Sequence, residues 1–364
     1  MYYEYLGPGI QDPTKLRYRV GLNFYMDCNS NVFENTFFFS IFNGASPHNF
    51  IEDVAAPVIA DNNVNNCATT TCYPCISNPP PICYRVIKYE VVVELAPSPQ
   101  GYIITKQRCC RINNIANIQA PSNTIGATYT INIPGFNQVI NNAHINNSPL
   151  FQFNDTTIVC ANNFFSIDFS ATDSDSLVYS LCEAYTGGSQ GSPIPSPAST
   201  PPYNTIPYQF PFSGGQPMGT GVTLDSKTGI LSGIAPNIGE YVVTICVAEY
   251  RNGVKFAETR KELHLNVTHC NPVVATMDPT FLTCGDLTLS FFNQSDGPAI
   301  QNWKWIFGDP STGSSDTSFL QFPSHSFSAA GVYTVKLIVN DGLPCIDSTE
   351  QIVSVYPGFF SGLD

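Results

Sequence analysis

Alternation with a period of two runs through this chain and restricts its fold more than any other feature. Leu16, Tyr18, Val20, Leu22 and Phe24 alternate with Arg17, Arg19, Gly21 and Asn23, the pattern of a strand with one buried face and one wet face. Cys83–Leu95 reads as a long strand with Tyr84, Val86, Lys88, Glu90 and Val92 on one side and Arg85, Ile87, Tyr89, Val91 and Val93 on the other. In Glu240–Ala248, Tyr241, Val243, Ile245 and Val247 share one face, and Val242, Thr244, Cys246 and Ala248 the other. Tyr333, Val335, Leu337 and Val339 repeat the alternation near the end. Helical periodicity is scarce, and only 108–115 admits a short helix as readily as a loop. Regular short strands with Gly, Pro and Asn turns predict an all-β chain of tandem immunoglobulin-like β-sandwich modules.

The 364 residues exceed one ordinary sandwich. Polar breaks at Asn146-Asn147-Ser148-Pro149 and His269-Cys270-Asn271-Pro272 divide the chain into 1–148, 149–269 and 270–364. The first part carries a cysteine-rich insertion near 61–83. The chain has 15 Lys and Arg against 28 Asp and Glu, and no Lys or Arg falls between Arg111 and Lys227. A phosphate-backbone binder needs a basic footprint, so nucleic acid is excluded as a partner. No run of 18 apolar residues is present to span a membrane as a helix.

Thirteen cysteines point to an oxidising compartment, and their odd number leaves at least one free or paired with something outside this chain. Cys28 is the candidate. Cys72-Tyr-Pro-Cys75, with Cys67 and Cys83 nearby, has spacing that zinc could use, but its irregular gaps and Pro/Asn-rich setting fit disulfides better. Adjacent Cys109 and Cys110 are expected to pair with different distant partners. The segment from Met1 lacks the basic and apolar regions of a signal peptide; either a signal has been removed or, the favoured reading, the chain is a fragment of a longer exported protein.

The third part resembles a PKD domain, on Trp303-Lys304-Trp305-Ile306-Phe307-Gly308-Asp309, His325-Ser326-Phe327 and Gly331-Val332-Tyr333-Thr334-Val335-Lys336-Leu337. Pro310 stands where that family usually has glycine. The resemblance implies an immunoglobulin-like module with Trp305 in its core. Gly308 and Asp309 then form a turn whose carboxylate accepts backbone N–H groups, and His325 hydrogen-bonds within a turn. Tyr333 sits in the Gly-x-Tyr-x-Val strand. Cys284 and Cys345 are expected to staple the ends of this module.

The second part resembles cadherin-like, immunoglobulin-like modules, on 169–181, Gly221-Val222-Thr223-Leu224-Asp225, Thr228–Gly233 and Gly239–Val243, with Ser176 in place of a usual glycine. Cys182 and Cys246 lie in its strand candidates and are expected to pair, while Cys160 and Cys270 would tie its ends. The first part resembles the N-terminal region of large secreted Bacteroidetes proteins, on Tyr3-Glu4-Tyr5-Leu6-Gly7, Tyr18-Arg19-Val20, Tyr25-Met26-Asp27-Cys28 and Arg108-Cys109-Cys110-Arg111. Such proteins often end in a gliding-motility-associated, type IX secretion sorting domain, which implies attachment to a bacterial surface.

Asp173 and Asp175 in one loop, together with Asp168, offer oxygen ligands to calcium; the alternative is a solvated Asp-rich turn bonded to backbone N–H groups. Calcium is thus the one cofactor the sequence suggests, and nothing requires it. Tyr203, Tyr208, Phe210 and Phe212 cluster in a long Pro-rich loop and are candidates to meet a glycan or protein; alternatively they fold back as a cap. Five histidines come without a metal-protease, nucleophile-elbow or phosphate-loop pattern. Glu90 and Glu94 on one strand face would be about 13 Å apart, too far for a glycosidase pair. The expectation is a non-enzymatic extracellular or cell-surface structural or adhesion protein, binding a surface glycan or protein. The alternative is a fibre or surface-layer subunit that assembles with copies of itself through β-edges or intermolecular bonds.

Overall fold

The computed structural model describes residues 1–27, 30, 33–65, 83–136, 140, 142–151, 158–270, 273–279, 281–284, 286–297, 300–343 and 345–356, with backbone alone at 64–65, 83 and 281–284. Among these the structure is all-β, relieved by two short 3₁₀ turns. Two compact units emerge, one of described residues up to Thr268 and the other from His269 onward. No described helix is long and apolar enough to cross a membrane.

The first module has strands β1 (Tyr2–Pro8), β2 (Leu16–Asp27), β3 (Thr36–Asn43), β4 (Phe50–Asn65), β5 (Cys83–Leu95), β6 (Tyr102–Arg108) and β7 (Ala127–Ile133). They form one sheet in the order β1-β2-β5-β4-β3-β6-β7. The sequence reading missed β4, whose Asp, Asn and Pro57 are poor strand formers. This strand turns the corner of the module. Residues up to Pro57 pair with β3, those from Val58 pair with β5, and a bulge at Val58–Ala60 lets the sheet fold over its own core. That core takes residues from every strand, among them Tyr3, Tyr18, Val20, Phe37, Ala56, Tyr89, Ile104 and Ile131. Phe37 stacks on Tyr89 at 3.7 Å. The Tyr89 hydroxyl donates to the Glu34 carbonyl and that of Tyr18 to the His144 carbonyl, so burying these rings strands no polar group.

The second module comprises β8 (Leu150–Phe151), β9 (Ile158–Cys160), β10 (Phe164–Asp168), β11 (Ala171–Thr172), β12 (Ser176–Leu181), β13 (Val222–Leu224), β14 (Ile230–Ile234), β15 (Gly239–Arg251) and β16 (Val254–Thr268). Sheet β12-β15-β16-β9 faces β10-β14-β13 across a core of Ile167, Phe169, Tyr179, Leu231, Val243, Ile245 and Val247. The β15–β16 hairpin turns on Asn252 and Gly253, both at positive φ, the conformation a tight two-residue hairpin demands. Cys182 is bonded to Cys246 with Cα atoms 6.0 Å apart. Cys160, Cys270 and Cys345 are also in disulfides.

Each of these two modules sends its longest irregular segment onto the other. Residues 109–126 contain no α-helix; they leave β6 and run along β15, with a parallel bridge between Ile115 and Glu240. The Asn117 amide donates to the carbonyls of Val242 and Pro217, both at 2.8 Å, and accepts the Val242 N–H at 3.0 Å. Ile115, Ile118, Ala184, Ile206 and Val242 close into a small apolar cluster there. Arg111 grips both oxygens of Glu262 at 2.7 and 2.8 Å. In the other direction the Ser199 N–H meets Gln107, the Ala198 N–H meets Ser40 and the Cys109 N–H meets the Pro193 carbonyl. Cys109 and Cys110 are joined to each other, which corrects the expectation of separate distant partners: the segment is fastened on both sides, at Pro193 and at Ile125, and each sulfur finds its neighbour. Cys28, Cys67, Cys72 and Cys75 lie outside the described residues, as do the side chains of Cys83 and Cys284.

The third module has β17 (Phe281–Cys284), β18 (Thr288–Ser290), β19 (Trp303–Ile306), β20 (Thr317–Ser318), β21 (Ser324–Ser326), β22 (Gly331–Val339) and β23 (Asp347–Tyr356). Sheets β17-β23-β22-β19-β20 and β18-β21 enclose Phe291, Trp305, Phe307, Phe327, Val335, Leu337 and Val353.

Replacing Asn117 by Ala removes three buried hydrogen bonds and leaves the Val242 N–H and C=O unpaired, so it should destabilise the first unit by roughly 2–4 kcal/mol. The check is the denaturant midpoint of that unit, which should fall with the slope unchanged; an unmoved midpoint contradicts the role given to Asn117.

Candidate functional site

Acidic side chains converge at the end of the β15–β16 hairpin. Asp173 and Asp175 occupy the turn between β11 and β12, and the Asp173 carboxylate accepts the Asp175 N–H at 2.8 Å. Glu249 comes from β15. One carboxylate oxygen from each of the three lies within 4.8 Å of the others. Arg251 donates to both oxygens of Asp175, at 2.8 and 2.6 Å. The Asn146 amide, from the end of the first module, donates to Glu249 Oε2 at 2.5 Å and to the Tyr3 hydroxyl at 3.0 Å. Glu249 is 0% exposed, and its Oε1 has no hydrogen-bond partner. Burial pushes its carboxyl up to about 8, Asn146 opposing and Asp173 and Asp175 adding to the shift. Burial also raises Asp173.

Asp168 does not belong to this group. It lies on β10, where its carboxylate accepts the Ser170 N–H at 2.7 Å. Glu249 takes the third place, and the sequence held a signal for it. Counting by twos from Tyr241 puts Val243, Ile245, Val247 and then Glu249 on the core-facing side of β15, where a carboxylate is out of place.

The aromatic loop is mostly turned inward. The Tyr203 hydroxyl bonds Thr105 at 2.5 Å, and that of Tyr208 accepts the Ala184 N–H at 3.0 Å. Phe212 stands edge-on to Tyr241 at 5.7 Å. Phe210 alone of the four is fully open, at 89% exposure. The four rings therefore present no shared face.

In the third module Trp305 is fully buried and its indole N–H donates to the Leu320 carbonyl at 3.1 Å. Gly308 has φ +73°, and a Cβ there would lie 2.5 Å from the Thr334 carbonyl oxygen, so only glycine fits. Asp309 is buried and accepts the Ser311 hydroxyl at 2.6 Å, the Ser328 N–H at 2.6 Å and the Ser328 hydroxyl at 2.7 Å. His325 departs from its expected turn hydrogen bond. It stacks on Phe307 at 4.2 Å, and its Nε2, 3.7 Å from Asp309, has no hydrogen-bond partner. The Tyr333 hydroxyl donates to the Ala329 carbonyl.

The profile of the PKD domain matches residues 270–355, the span that holds Trp305, Gly308, Asp309 and His325. The chain carries a PKD domain. Among solved structures, the PKD1 domain of Vibrio anguillarum Epp is similar to it at 31% identity, over 24% of this chain and 98% of that one, with a TM-score of 0.20. The N-terminal Ig1-2 module of the Drosophila receptor protein tyrosine phosphatase DLAR is similar at 15% identity, over 57% and 95% of the two chains, with a TM-score of 0.19. The four N-terminal Ig domains of Dscam1 isoform 1.9 align at 11% identity over 89% and 65%, with a TM-score of 0.21. No curated protein matches the chain.

Asp309 gives the PKD domain a definite acid response. Burial alone would raise its carboxyl, but hydrogen bonds from Ser311 and Ser328, with a smaller push from His325, hold it at about 2. A carboxyl lowered on folding contributes stability that is complete above its unfolded value, near 4, and is lost as pH falls towards 2. Unfolding of this domain followed from pH 6 to pH 2 should show that loss, and Asp309→Asn should be less stable at neutral pH with a flatter acid limb. Parallel profiles for the two proteins would contradict the assignment.

Proposed function

We propose that this chain is a non-enzymatic extracellular protein of structural or adhesive function, in which β modules support contact between a cell surface and a glycan or protein. The observation that carries the reading is the interlock of the first two modules. Much of the long segments at 109–126 and 183–217, which an enzyme would leave free over a cleft, is engaged in bonding one module to the other. PKD and immunoglobulin-like modules are typical of extracellular adhesion or structural proteins, and the disulfides suit an oxidising compartment. The resemblance of the first module to the front of secreted Bacteroidetes proteins supports display on a bacterial surface.

Assembly into a fibre through β-edges fits less well. Both edges of the first sheet carry hydrogen bonds from elsewhere in the chain: Ser148 and Asn147 bond the backbone of Tyr3 and Tyr5 on β1. The Tyr185 carbonyl takes the Thr128 N–H on β7. Covered edges resist pairing with another copy.

An antibody against the chain should label intact cells of the source organism without permeabilisation, and cells lacking the protein should attach less well to surfaces. Labelling that requires permeabilisation would refute the proposal, as would unchanged attachment together with a hydrolytic or transferase activity of the purified chain.

A further inference from the structure

We propose that Asp173, Asp175 and Glu249 bind a divalent cation of the calcium class at the end of the β15–β16 hairpin. The three carboxylates come from two separate elements and converge within 4.8 Å. Two aspartates in a turn would be ordinary by themselves. Glu249 is not, because it is 0% exposed and one of its oxygens accepts no hydrogen bond. A buried, unpaired carboxylate oxygen is costly, and a cation beside the two aspartates would satisfy it. With all three ionised, as a bound cation would hold them, the carboxylates set three negative charges against the single guanidinium of Arg251.

The donor set decides the class. All three ligands are oxygens, which suits hard cations and gives no purchase to metals that prefer nitrogen or sulfur. Calcium accepts six to eight oxygens in irregular geometry and would fill its remaining positions with water, whereas magnesium demands a near-ideal octahedron.

The neighbours act as positioning residues. Arg251 holds Asp175 by two bonds. Asn146 holds Glu249 Oε2 and is itself tied to Tyr3 of β1, so the end of the first module orients a ligand belonging to the second.

The test is calorimetric titration of the full oxidised chain with calcium chloride, at constant pH and ionic strength, with a parallel thermal-shift series. The expected result is a saturable single site with Kd of about 10⁻⁴–10⁻³ M, the range of extracellular modules, and a rise in the unfolding temperature of the first unit. Asp173→Asn and Glu249→Gln should each weaken binding by at least about tenfold, while Asp168→Asn should leave it unchanged. Should Glu249→Gln fail to fold, Asp173→Asn, in a partly exposed turn, carries the comparison. No heat and no thermal shift at about 10 mM calcium, well above that range, would overturn the proposal. So would calcium binding that survives Asp173→Asn, or magnesium binding as tight as calcium.

Discussion

Asn117 sets its side-chain amide against the main chain of Val242, and the arrangement of the first 268 residues turns on that contact. In this stretch of β15 the neighbouring strand β12 has already ended, since its pairing with β15 stops at Leu181–Ile245. Without another partner the Val242 N–H and C=O would be buried and unpaired. Asn117 supplies a donor and an acceptor from a different module, in the spacing of a peptide group. Ala116 continues the ladder by donating its N–H to the Glu240 carbonyl. The sheet of the second module is thus completed by the first, and β15 is buried on both faces: Tyr241, Val243, Ile245 and Val247 against its own core, and Val242 against Ile115, Ile118 and Ile206.

The returning loop reinforces this arrangement. Its backbone and hydroxyl groups reach the polar face of the first sheet at Ser40, Thr105, Gln107 and Thr128. That face is covered by hydrogen-bonding chain. The buried Arg111–Glu262 pair adds directional specificity more than net stability, because desolvating both groups offsets much of their attraction. Two modules that could otherwise swing about a short link are held instead by contacts in both directions, a suitable property for a protein whose proposed work is mechanical support.

Much of this was legible in advance, and the failures share a cause. The all-β class and the strands β2, β5, β15 and β22 follow from period-two alternation, because each buries at least one uninterrupted apolar face. The PKD domain was visible in Trp305, Gly308 and Asp309, whose roles are local. β4 was missed because Ala, Asp, Asn and Pro57 make its sequence look like a loop, and its strand character comes from pairing with β3 on one half and β5 on the other. The Asn-Gly turn at 252–253 was a local signal left unread. The run from Tyr241 to Ala248, apolar but for Thr244, was itself a clue, since a strand apolar on both sides is covered on both sides, but no local pattern says what covers it. Asp173 and Asp175 were found by their spacing; Glu249 required following the alternation of β15 one step past its apolar run. The aromatic loop was legible as a cluster, whereas its inward packing depends on Thr105, Ala184 and Tyr241, all distant in sequence.

The most direct test of this interlock is differential scanning calorimetry of the whole oxidised chain. If the first two modules complete each other's sheets and cores, they unfold together. The trace should then resolve into two transitions, one for the unit up to Thr268 and one for the PKD domain, with calorimetric and van't Hoff enthalpies agreeing for the first. Three separable transitions, with the first and second modules melting independently, would contradict the account.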